Sequence, residues 1–419
     1  MRRWERHRTR WVFLSVRLLF LLLLVPAIVL NARLYAEPEQ EGVQAQLRFL
    51  RAALDRGAAH RMQTLFPEGF FFTHELNGLA WIDQALAAPA GDPLRREALR
   101  EARRALAHVV SEDGRRPFSA TIDPPFGIFY EGWSNWLHAG LLRIEPPAER
   151  DPADVAAFEQ DCDTIARAFD SSPTPFLVSY PGQAWPVDSV VAIASLRAHD
   201  AILPPRFGAT IDRWLIETKK HLDPKTSLIP HRVDPFTGEP LEPARGTSQS
   251  VINRFLAEIE PVWAGEQYER FHRTFIVTRL GLPGVREFPD GVDGSADVDS
   301  GPLLLGVSMS ASVVTAGAAR LHGDRELATA LYGTMESLGL PLTLSGEKRY
   351  VFGLVPVGDA FIAWSSGAQR WTPGGPAAHY PRRLSRGWRL PMHGVTAVPF
   401  GVLFWVLFLR RGKSDQADR

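Results

Sequence analysis

The chain has 419 residues, carries 47 Lys and Arg against 47 Asp and Glu, and is 45% hydrophobic. This length and composition suit one large globular domain or two ordinary ones, and they exclude the fibrous and disordered classes. The balanced charge argues against a nucleic-acid partner. The single cysteine, Cys162, excludes internal disulfides and a cysteine zinc site.

The amino-terminal segment predicts a membrane anchor. The run from Trp11 to Leu30 is apolar apart from Ser15, Arg17 and Pro26, and it is long enough to cross a bilayer. Five arginines precede it: Arg2, Arg3, Arg6, Arg8 and Arg10. Leu34-Tyr35-Ala36 is a poor match to the small-x-small cleavage site of a secretory signal, so we favour an uncleaved anchor. The basic flank keeps the N-terminus in the cytoplasm and sends the following chain across the membrane.

A second span is predicted near the other end. Pro391 to Leu409 is apolar except for His393, and basic residues follow it. We therefore expect three parts: a cytoplasmic tail and anchor over 1–36, a main domain over 37–380, and a second span with a short basic tail over 381–419. The main domain should lie outside the cytoplasm, on a bacterial inner (cytoplasmic) membrane.

Hydrophobic periodicity between these ends predicts twelve helices and no convincing series of β-hairpins. Their ranges are 40–57, 70–88, 93–111, 130–143, 152–170, 185–200, 206–222, 247–259, 262–280, 300–322, 324–338 and 356–366. Paired in order, they form six helical hairpins. The first helix of a pair carries a charged face, and the second is apolar or rich in small residues. This alternation predicts an all-α double ring with the second helices inside.

The tenth helix carries the clearest pattern. From Asp297 to Arg320 the chain reads DVDSGPLLLGVSMSASVVTAGAAR, with acids before a long uncharged stretch. Pro302 suits the first turn of a helix, and Asp299 or Ser300 could cap it. The pattern predicts a helix that is buried on all sides and leaves its acids at the surface.

The six inner helices start with polar and aromatic groups, and in a double ring all six starts lie at one end of the barrel. These groups are Thr73-His74-Glu75 with Asn77 and Trp81; Tyr130-Glu131-Gly132-Trp133 with Asn135; Trp185 to Ser189; Gly246 to Gln249; Asp297 to Ser300; and Gly358-Asp359 with Trp364. A single Asp or Ser at a helix start is commonly a cap. Six such starts at one end predict a functional pocket.

Several motifs over residues 125 to 340 follow one another in a recognisable order. They are Tyr130-Glu-Gly-Trp-Ser-Asn-Trp-Leu; Leu177-Val-Ser-Tyr-Pro-Gly-Gln-Ala-Trp-Pro-Val-Asp188; Trp214 to Asp223; Pro235-Phe-Thr-Gly238; Tyr268 to Thr274; and Asp297-Val-Asp-Ser-Gly. This order resembles bacterial linalool dehydratase/isomerase, a periplasmic lyase of terpene alcohols. The resemblance implies an (α/α)6 barrel, an extracytoplasmic site and acid/base chemistry inside the barrel.

This sequence departs from that family at two positions. The two cysteines of the family's site fall, by spacing, at Ser179 and Asp188, while Cys162 lies in an outer helix. Cysteine-assisted dehydration of linalool therefore cannot be carried over. Glycoside hydrolases, glycan lyases and sugar epimerases also use a similar double ring, so the fold does not choose the reaction.

Asp188 and Asp299 are the predicted catalytic pair. Burial and mutual repulsion should raise the pKa of one carboxyl, while hydrogen bonds hold the other low. Asp297 either orients this pair or caps a helix. The predicted substrate-binding residues are His74, Glu75, Tyr130, Glu131, Trp133, Asn135, Ser179, Trp185, His231, Arg245, Ser248 and Asp359. The long loop that holds His231 and Arg245 is either a lid or solvent-facing filler.

Two functions remain open. The first is a membrane-tethered lyase, isomerase or hydrolase acting on a small hydroxylated molecule or a glycan. The second is a non-catalytic barrel of the cell envelope that binds glycans or lipids, which the missing cysteines favour. No serine elbow, P-loop, dinucleotide fingerprint or HExxH appears. We expect no cofactor and no metal. A calcium or magnesium site at Asp293, Asp297 and Asp299 is an alternative, although their spacing is not that of a calcium hand.

Overall fold

The computed structural model describes residues 2–372, 384–385 and 387–405. Its α-helices are α1 (Arg2–Arg33), α2 (Gln40–Asp55), α3 (Ala58–Gln63), α4 (Gly69–Ala87), α5 (Pro93–Val109), α6 (Glu112–Arg115), α7 (Gly127–Ile144), α8 (Pro152–Ser171), α9 (Pro186–Ile202), α10 (Gly208–Thr218), α11 (Gly246–Ile259), α12 (Pro261–Phe275), α13 (Met309–Leu321), α14 (Arg325–Leu338), α15 (Pro356–Gly367) and α16 (Leu390–Phe404). The strands are β1 (Arg232–Val233), β2 (Pro240–Glu242), β3 (Ile276–Arg279), β4 (Leu282–Arg286), β5 (Leu303–Leu304), β6 (Val307–Ser308), β7 (Leu342–Leu344) and β8 (Glu347–Arg349).

Six helices form a closed inner ring. Helices α4, α7, α9, α11, α13 and α15 each contact the next, and α15 returns to α4. Outside this ring, α2, α5, α8, α10, α12 and α14 pack against the inner helices that precede or follow them in the chain. The protein is therefore an all-α (α/α)6 barrel. The predicted alternation of outer and inner helices is confirmed.

Burial explains which helix of each pair lies inside. Nearly every residue of α4 is buried, including polar ones, because other helices surround it. In α5 the buried residues recur at helical spacing on one face: Ala98, Ala102, Ala105 and Val109. Its charged face remains toward solvent. An amphipathic helix of this kind can stabilise an outer ring but not an inner one.

The tenth predicted helix starts later than expected. Helix α13 begins at Met309, and Ser308 caps it by accepting a hydrogen bond from the Ala311 N–H at 3.1 Å. The apolar run over 303–308 instead forms a hairpin of β5 and β6, turned by Leu305 and Gly306 at positive φ. A short apolar run fits a strand or a helix equally well, and pairing with β4 decides it here.

Short strands precede three of the inner helices in the chain, α11, α13 and α15. The sequence predicts no series of β-hairpins there. The antiparallel order is β3-β4-β6-β5, and the pairs β1–β2 and β7–β8 form two further hairpins. The predicted helix over 262–280 stops at Phe275, because the β-branched residues Ile276, Val277 and Thr278 pair as β3.

The terminal helices pack against each other. In α1, residues Leu14–Arg33 are long and apolar enough to cross a membrane, with a mean hydropathy of 2.3. The shorter apolar helix α16 lies beside it, with the rings of Phe20 and Phe400 5.6 Å apart. The rest of the predicted second span, residues 406–409, lies outside the described residues.

One end of the barrel is closed by a buried ion pair that crosses the barrel axis. Arg254 of α11 donates to Asp83 of α4 at 3.1 Å, and these two helices occupy opposite positions in the ring. The Trp371 indole N–H donates to the same carboxylate at 2.9 Å. Burial raises the pKa of Asp83, and the Arg254 charge opposes that rise. The Arg254 guanidinium also lies 3.7 Å from the ring centre of Trp364.

Aromatic side chains fill the interior next to this ion pair. The ring of Trp133 lies 5.3 Å from Phe255 and 5.9 Å from Trp364, and Phe255 also contacts Trp136. The inner helices end on this side, so we call it the closed end. Their starts lie at the opposite end, which we call the mouth.

Replacing Arg254 with Met should lower the free energy of unfolding by about 3–5 kcal/mol, because the buried Asp83 carboxyl then loses the cation that pairs with it. The double variant Arg254→Met, Asp83→Asn should recover most of that loss. Urea unfolding followed by circular dichroism measures both. A single variant as stable as the wild type would contradict the role given to this ion pair.

Candidate functional site

Three carboxyl groups and a phenol meet at the mouth. Glu68 directly precedes α4, Asp188 lies in the first turn of α9, and Asp299 lies in the loop before β5. The charges of Glu68 and Asp299 both raise the pKa of Asp188, so the three groups face a common space. The Tyr180 hydroxyl donates to Glu68, and burial, followed by the charges of all three carboxylates, raises the pKa of that phenol. We call these four residues the mouth cluster.

Asp188 is the most deeply buried member. Pro186 starts α9 and places Asp188 in its first turn, where the helix dipole favours a charged carboxylate. Burial outweighs that effect and raises the pKa of Asp188 to about 8. The Ser179 hydroxyl donates to its Oδ2 at 2.6 Å and acts in the opposite direction. The Trp133 indole N–H has no hydrogen bond of normal geometry among the described residues. It lies near the Asp188 carboxyl and also lowers its pKa.

Asp299 lies at the surface of the mouth. Its side chain is accessible to solvent, yet the surrounding protein removes enough water to raise its pKa to about 6. The charge of Asp297 adds to this rise, and Arg245 opposes it. We expected one raised and one low pKa; both are raised, by different amounts. Asp299 also does not cap α13, since it precedes β5; its carbonyl oxygen accepts from the Ser310 hydroxyl at 2.6 Å.

A buried arginine fixes the loop that carries Asp299. Arg245, immediately before α11, donates through Nε to Glu287 at 2.8 Å and through Nη2 to Asp297 at 2.6 Å. Glu287 follows β4, has no exposed surface, and also accepts from the Thr247 N–H. The cost of burying the Glu287 carboxylate is therefore offset by the hydrogen bonds it accepts from Arg245 and Thr247. Asp297 acts as a positioning residue, because its carboxylate is engaged by Arg245 and its pKa is lowered.

His231 is held in the neutral form beside this arginine. Its Nε2 accepts from Arg245 at 3.3 Å, so its Nδ1–H donates to the Ser248 hydroxyl. Burial and the Arg245 charge lower its pKa to about 4. The loop from His231 to Arg245 thus has two buried ends anchored at the mouth, while its tip at Phe236 is exposed. It forms a wall of the site.

The inner helices turn several predicted residues away from the mouth cluster. His74 stacks on His108 of α5, with ring centres 4.2 Å apart. Asn135 donates to the Ser195 hydroxyl at 2.9 Å, deep between helices. Successive residues of a helix point about 100° apart, so a helix start cannot present all its polar groups to one site.

Two further predicted acids face the outer ring. Glu131 lies near Asp161 of α8, and burial followed by that charge raises its pKa to about 8. Asp359 accepts from the Tyr350 N–H at 2.8 Å and from Gln46 of α2. Burial raises its pKa to about 7. Asp359 therefore binds outer elements, whereas Glu131 lies beside a like-charged group of the outer ring.

The remaining predicted residues have mixed positions. Glu75 is fully buried, its oxygens have no hydrogen-bond partner within the described residues, and burial raises its pKa well above the ordinary value. Tyr130 accepts from Arg115 at 2.9 Å. Trp185 packs edge-on against Tyr180, with ring centres 5.6 Å apart. Of these three, only Trp185 borders the mouth cluster.

Sequence reasoning missed Glu68, Tyr180 and Glu287. Glu68 sits one residue before α4, so the rule applied to the other helix starts would have found it if the helix boundary had been placed correctly. Tyr180 lies inside a motif already singled out, between Ser179 and Asp188. Nothing in the sequence marked Glu287, whose role depends on the pairing of β4 and β6.

Within the described ranges, no group of three His, Cys, Asp or Glu side chains is placed to hold a metal ion. The carboxylate of Asp297, one member of the alternative calcium or magnesium site, is paired with Arg245 instead.

Comparisons with known proteins add little to this geometry. No protein-family model matches the chain, and no curated protein matches it. Among solved structures, an unsaturated glucuronyl hydrolase specific for heparin is 13% identical, with a TM-score of 0.48, over 70% of this chain and 84% of that one. So distant a likeness identifies neither family nor activity, and the fold assignment stands on the ring of helix contacts.

Replacing Asp188 with Asn should raise the free energy of unfolding at pH 7 by on the order of 2–4 kcal/mol. The folded carboxyl, with a pKa raised to about 8, holds a proton that the unfolded chain releases above its own pKa of about 4. Wild-type stability is therefore lost as the pH rises between those values. The gain should vanish near pH 3. Urea unfolding at several pH values tests this, and a variant less stable at pH 7 would refute it. Asp299→Asn should give a smaller gain.

Proposed function

We propose that this protein is a membrane-anchored enzyme that performs carboxyl acid/base chemistry on a hydroxylated substrate at the mouth of the barrel. The observation that carries the proposal is the difference between two interacting carboxyls. With pKa values of about 8 and about 6, Asp188 holds its proton near neutral pH while Asp299 has released its own. A proton donor beside a proton acceptor is what general acid/base catalysis needs.

In this mechanism Asp188 gives its proton to the leaving oxygen of the substrate, and Asp299 accepts a proton. If Asp299 takes it from the neighbouring carbon, a double bond forms and water leaves, which is a lyase reaction. If Asp299 takes it from a water that attacks the anomeric carbon, the products are two hydroxylated sugars, which is glycan hydrolysis. In both reactions Asp188 loses one proton and Asp299 gains one. Tyr180, bound to Glu68, would orient the substrate hydroxyl.

The motif order supports a distant relationship with linalool dehydratase/isomerase. The positions that align with that family's cysteines are Ser179 and Asp188, and these two side chains are bonded to each other here. This supports the idea that the same region serves as the site with different chemistry. A carboxyl with a raised pKa can donate a proton without any thiol.

The proposed location is a bacterial inner membrane, with the barrel outside the cytoplasm. Support comes from the apolar stretch Leu14–Arg33 and from the arginines that precede it in the sequence. Helix α16 lies antiparallel to α1, so its end would lie on the same side as the start of α1. Basic residues flank both ends of the second span, so the first span orients the chain.

The alternative is a barrel that binds a glycan or lipid without chemistry. One observation favours it: only 4% of Asp188 is exposed, so a substrate must reach it through a narrow approach. Aromatic walls such as Trp185 suit a binding role as well as a catalytic one. Turnover decides between the two.

Asp188→Asn and Asp299→Asn should each lower turnover by about 10²- to 10⁴-fold, because each removes one proton-transfer group. The substrate would be found by screening envelope glycans and prenyl alcohols with the purified full chain. Asp161→Asn, which changes a carboxyl in the outer ring, is the matched control and should leave turnover unchanged. Circular dichroism checks that every variant is folded. Full turnover in both mouth variants would reject the mechanism.

Turnover should show a bell-shaped dependence on pH. It should rise through about pH 6, where Asp299 ionises, and fall through about pH 8, where Asp188 loses its proton. Because the Asp297 charge raises the pKa of Asp299, Asp297→Asn should move the acidic limb to lower pH and leave the basic limb in place. An unchanged acidic limb would show that Asp299 is not the base.

A further inference from the structure

Helix α1 leaves the barrel past the mouth. Outer helices run opposite to inner ones, so α14 ends at the mouth. Leu34 lies against Gly333 of α14, and one turn earlier the carbonyl oxygen of Leu30 accepts from the Ser337 hydroxyl at 2.9 Å. Traced toward its start, α1 therefore passes the last turn of α14 and continues beyond the mouth.

Helix α16 follows the same course. Arg389 donates to the carbonyl oxygen of Leu34 at 2.9 Å, and one turn further on Asn31 donates to Thr396 at 2.9 Å. The ring contact between Phe20 and Phe400 lies further still from the barrel. Both apolar helices thus project from the mouth, and the closed end faces away from them.

The mouth of the barrel lies at the same level along α1 as the end of its apolar stretch. The last turn of α14 lies beside Leu30, which is inside the stretch Leu14–Arg33. Arg33 donates to the carbonyl oxygen of Pro341 at 2.8 Å, so the segment after α14 lies there too. A bilayer that holds this stretch of α1 must also touch the loops at the mouth.

Those loops carry large exposed apolar side chains. They are Leu280, Leu304, Leu305, Leu340, Phe352 and Leu354, and we call them the apolar rim. Leu305 is 61% exposed, Phe352 62% and Leu354 71%. Apolar groups gathered at one end of a molecule and left in water indicate an interaction surface.

The rim adjoins the two terminal helices on both sides. Leu340 precedes Pro341, which is bonded to Arg33, and the Val351 N–H donates to Gly339 at 2.9 Å, which brings Phe352 alongside. On the other side, Gly281 lies against Pro391 of α16.

Backbone strain marks the same residues. Four members of the rim have φ between 49° and 58°: Leu280, Leu305, Leu340 and Phe352. Bulky residues rarely adopt this left-handed conformation, which costs free energy that glycine would avoid. In water the exposed side chains contribute no hydrophobic free energy that would offset this strain. In hydrocarbon they would.

A basic side chain packs against two aromatic rings where the terminal helices meet the barrel; Tyr35 is exposed there and Trp388 is buried. The Arg389 guanidinium lies 4.2 Å from the ring centre of Trp388 and 4.4 Å from that of Tyr35. Tyr is enriched at membrane interfaces because it has an apolar body and a polar edge, and the exposed Tyr35 suits that position. This group sits at the base of both helices.

We propose that the barrel docks mouth-down on the bilayer, with the apolar rim inserted among the lipids. The partner is the lipid surface, because the rim adjoins two apolar helices that point the same way. The inference rests on the proposed membrane anchoring and not on the chemistry. It directs the mouth cluster toward the membrane, so the substrates it favours are hydroxylated amphiphiles drawn from the bilayer.

Site-directed spin labelling of the full chain tests the docking. Cys162 is fully buried, so the wild type offers no reactive thiol. Phe352→Cys and Leu305→Cys place a label on the rim. Val262→Cys is the control, since Val262 is 73% exposed at the start of α12, at the closed end. The protein is reconstituted in vesicles of phosphatidylethanolamine and phosphatidylglycerol.

At positions 352 and 305, collisions with oxygen should exceed those with a water-soluble nickel chelate, and at position 262 the order should reverse. Nickel accessibility at the rim equal to that at position 262 would overturn the proposal. Low accessibility to both reagents at the rim would indicate protein cover and would overturn it as well. No substrate is needed, so a failure of the proposed catalysis would appear separately, as unchanged turnover in the Asp188 and Asp299 variants.

Discussion

The ion pair between Arg254 and Asp83 is the constraint on which the barrel depends. It joins helices on opposite sides of the inner ring, so it fixes the diameter of the ring where the inner helices end. Two charges buried this deeply are favourable only when their remaining hydrogen bonds are satisfied, and the Trp371 indole helps to satisfy Asp83. The rings of Trp133, Phe255 and Trp364 pack beside this pair. The candidate site lies at the opposite end of the ring.

At the mouth, unlike at the closed end, several acids have no paired cation within the described chain. There the acids outnumber their partners: the single charge of Arg245 is shared by Asp297 and Glu287, while Glu68, Asp188 and Asp299 form no salt bridge among the described side chains. Burial without a paired cation raises the pKa of a carboxyl. Asp188, the deepest, retains its proton most strongly, and Asp299, at the surface, less so. Depth within the mouth thus makes Asp299 ionise at a lower pH than Asp188.

The sequence was sufficient for the helices and their arrangement. Long periodic patterns such as Pro93–Ser111 predict both a helix and its buried face, and the alternation with small-residue helices placed each one in the inner or outer ring. The hairpin at 303–308 could not be read in advance, because its pairing with β4 brings together segments that are distant along the chain. Helix α13 consequently starts nine residues later than predicted.

The site was harder to predict than the fold. Asp188 and Asp299 do share a space, but His74, Asn135 and Asp359, chosen by the same reasoning, face other helices. A helix start shows which residues are near the mouth but not which way each one turns. Glu68 was missed for the converse reason, since it lies just outside the predicted helix and yet turns inward.

Infrared spectroscopy of the carboxyl C=O stretch tests the central claim, which is that the mouth holds a protonated Asp188 beside an ionised Asp299 near neutral pH. At pH 7 the difference spectrum between the wild type and Asp188→Asn should contain a protonated carboxyl band, and that band should fade as the pH rises through about 8. The corresponding band of Asp299 should appear only below about pH 6. A difference spectrum for Asp188→Asn without any protonated carboxyl at pH 7 would contradict the account.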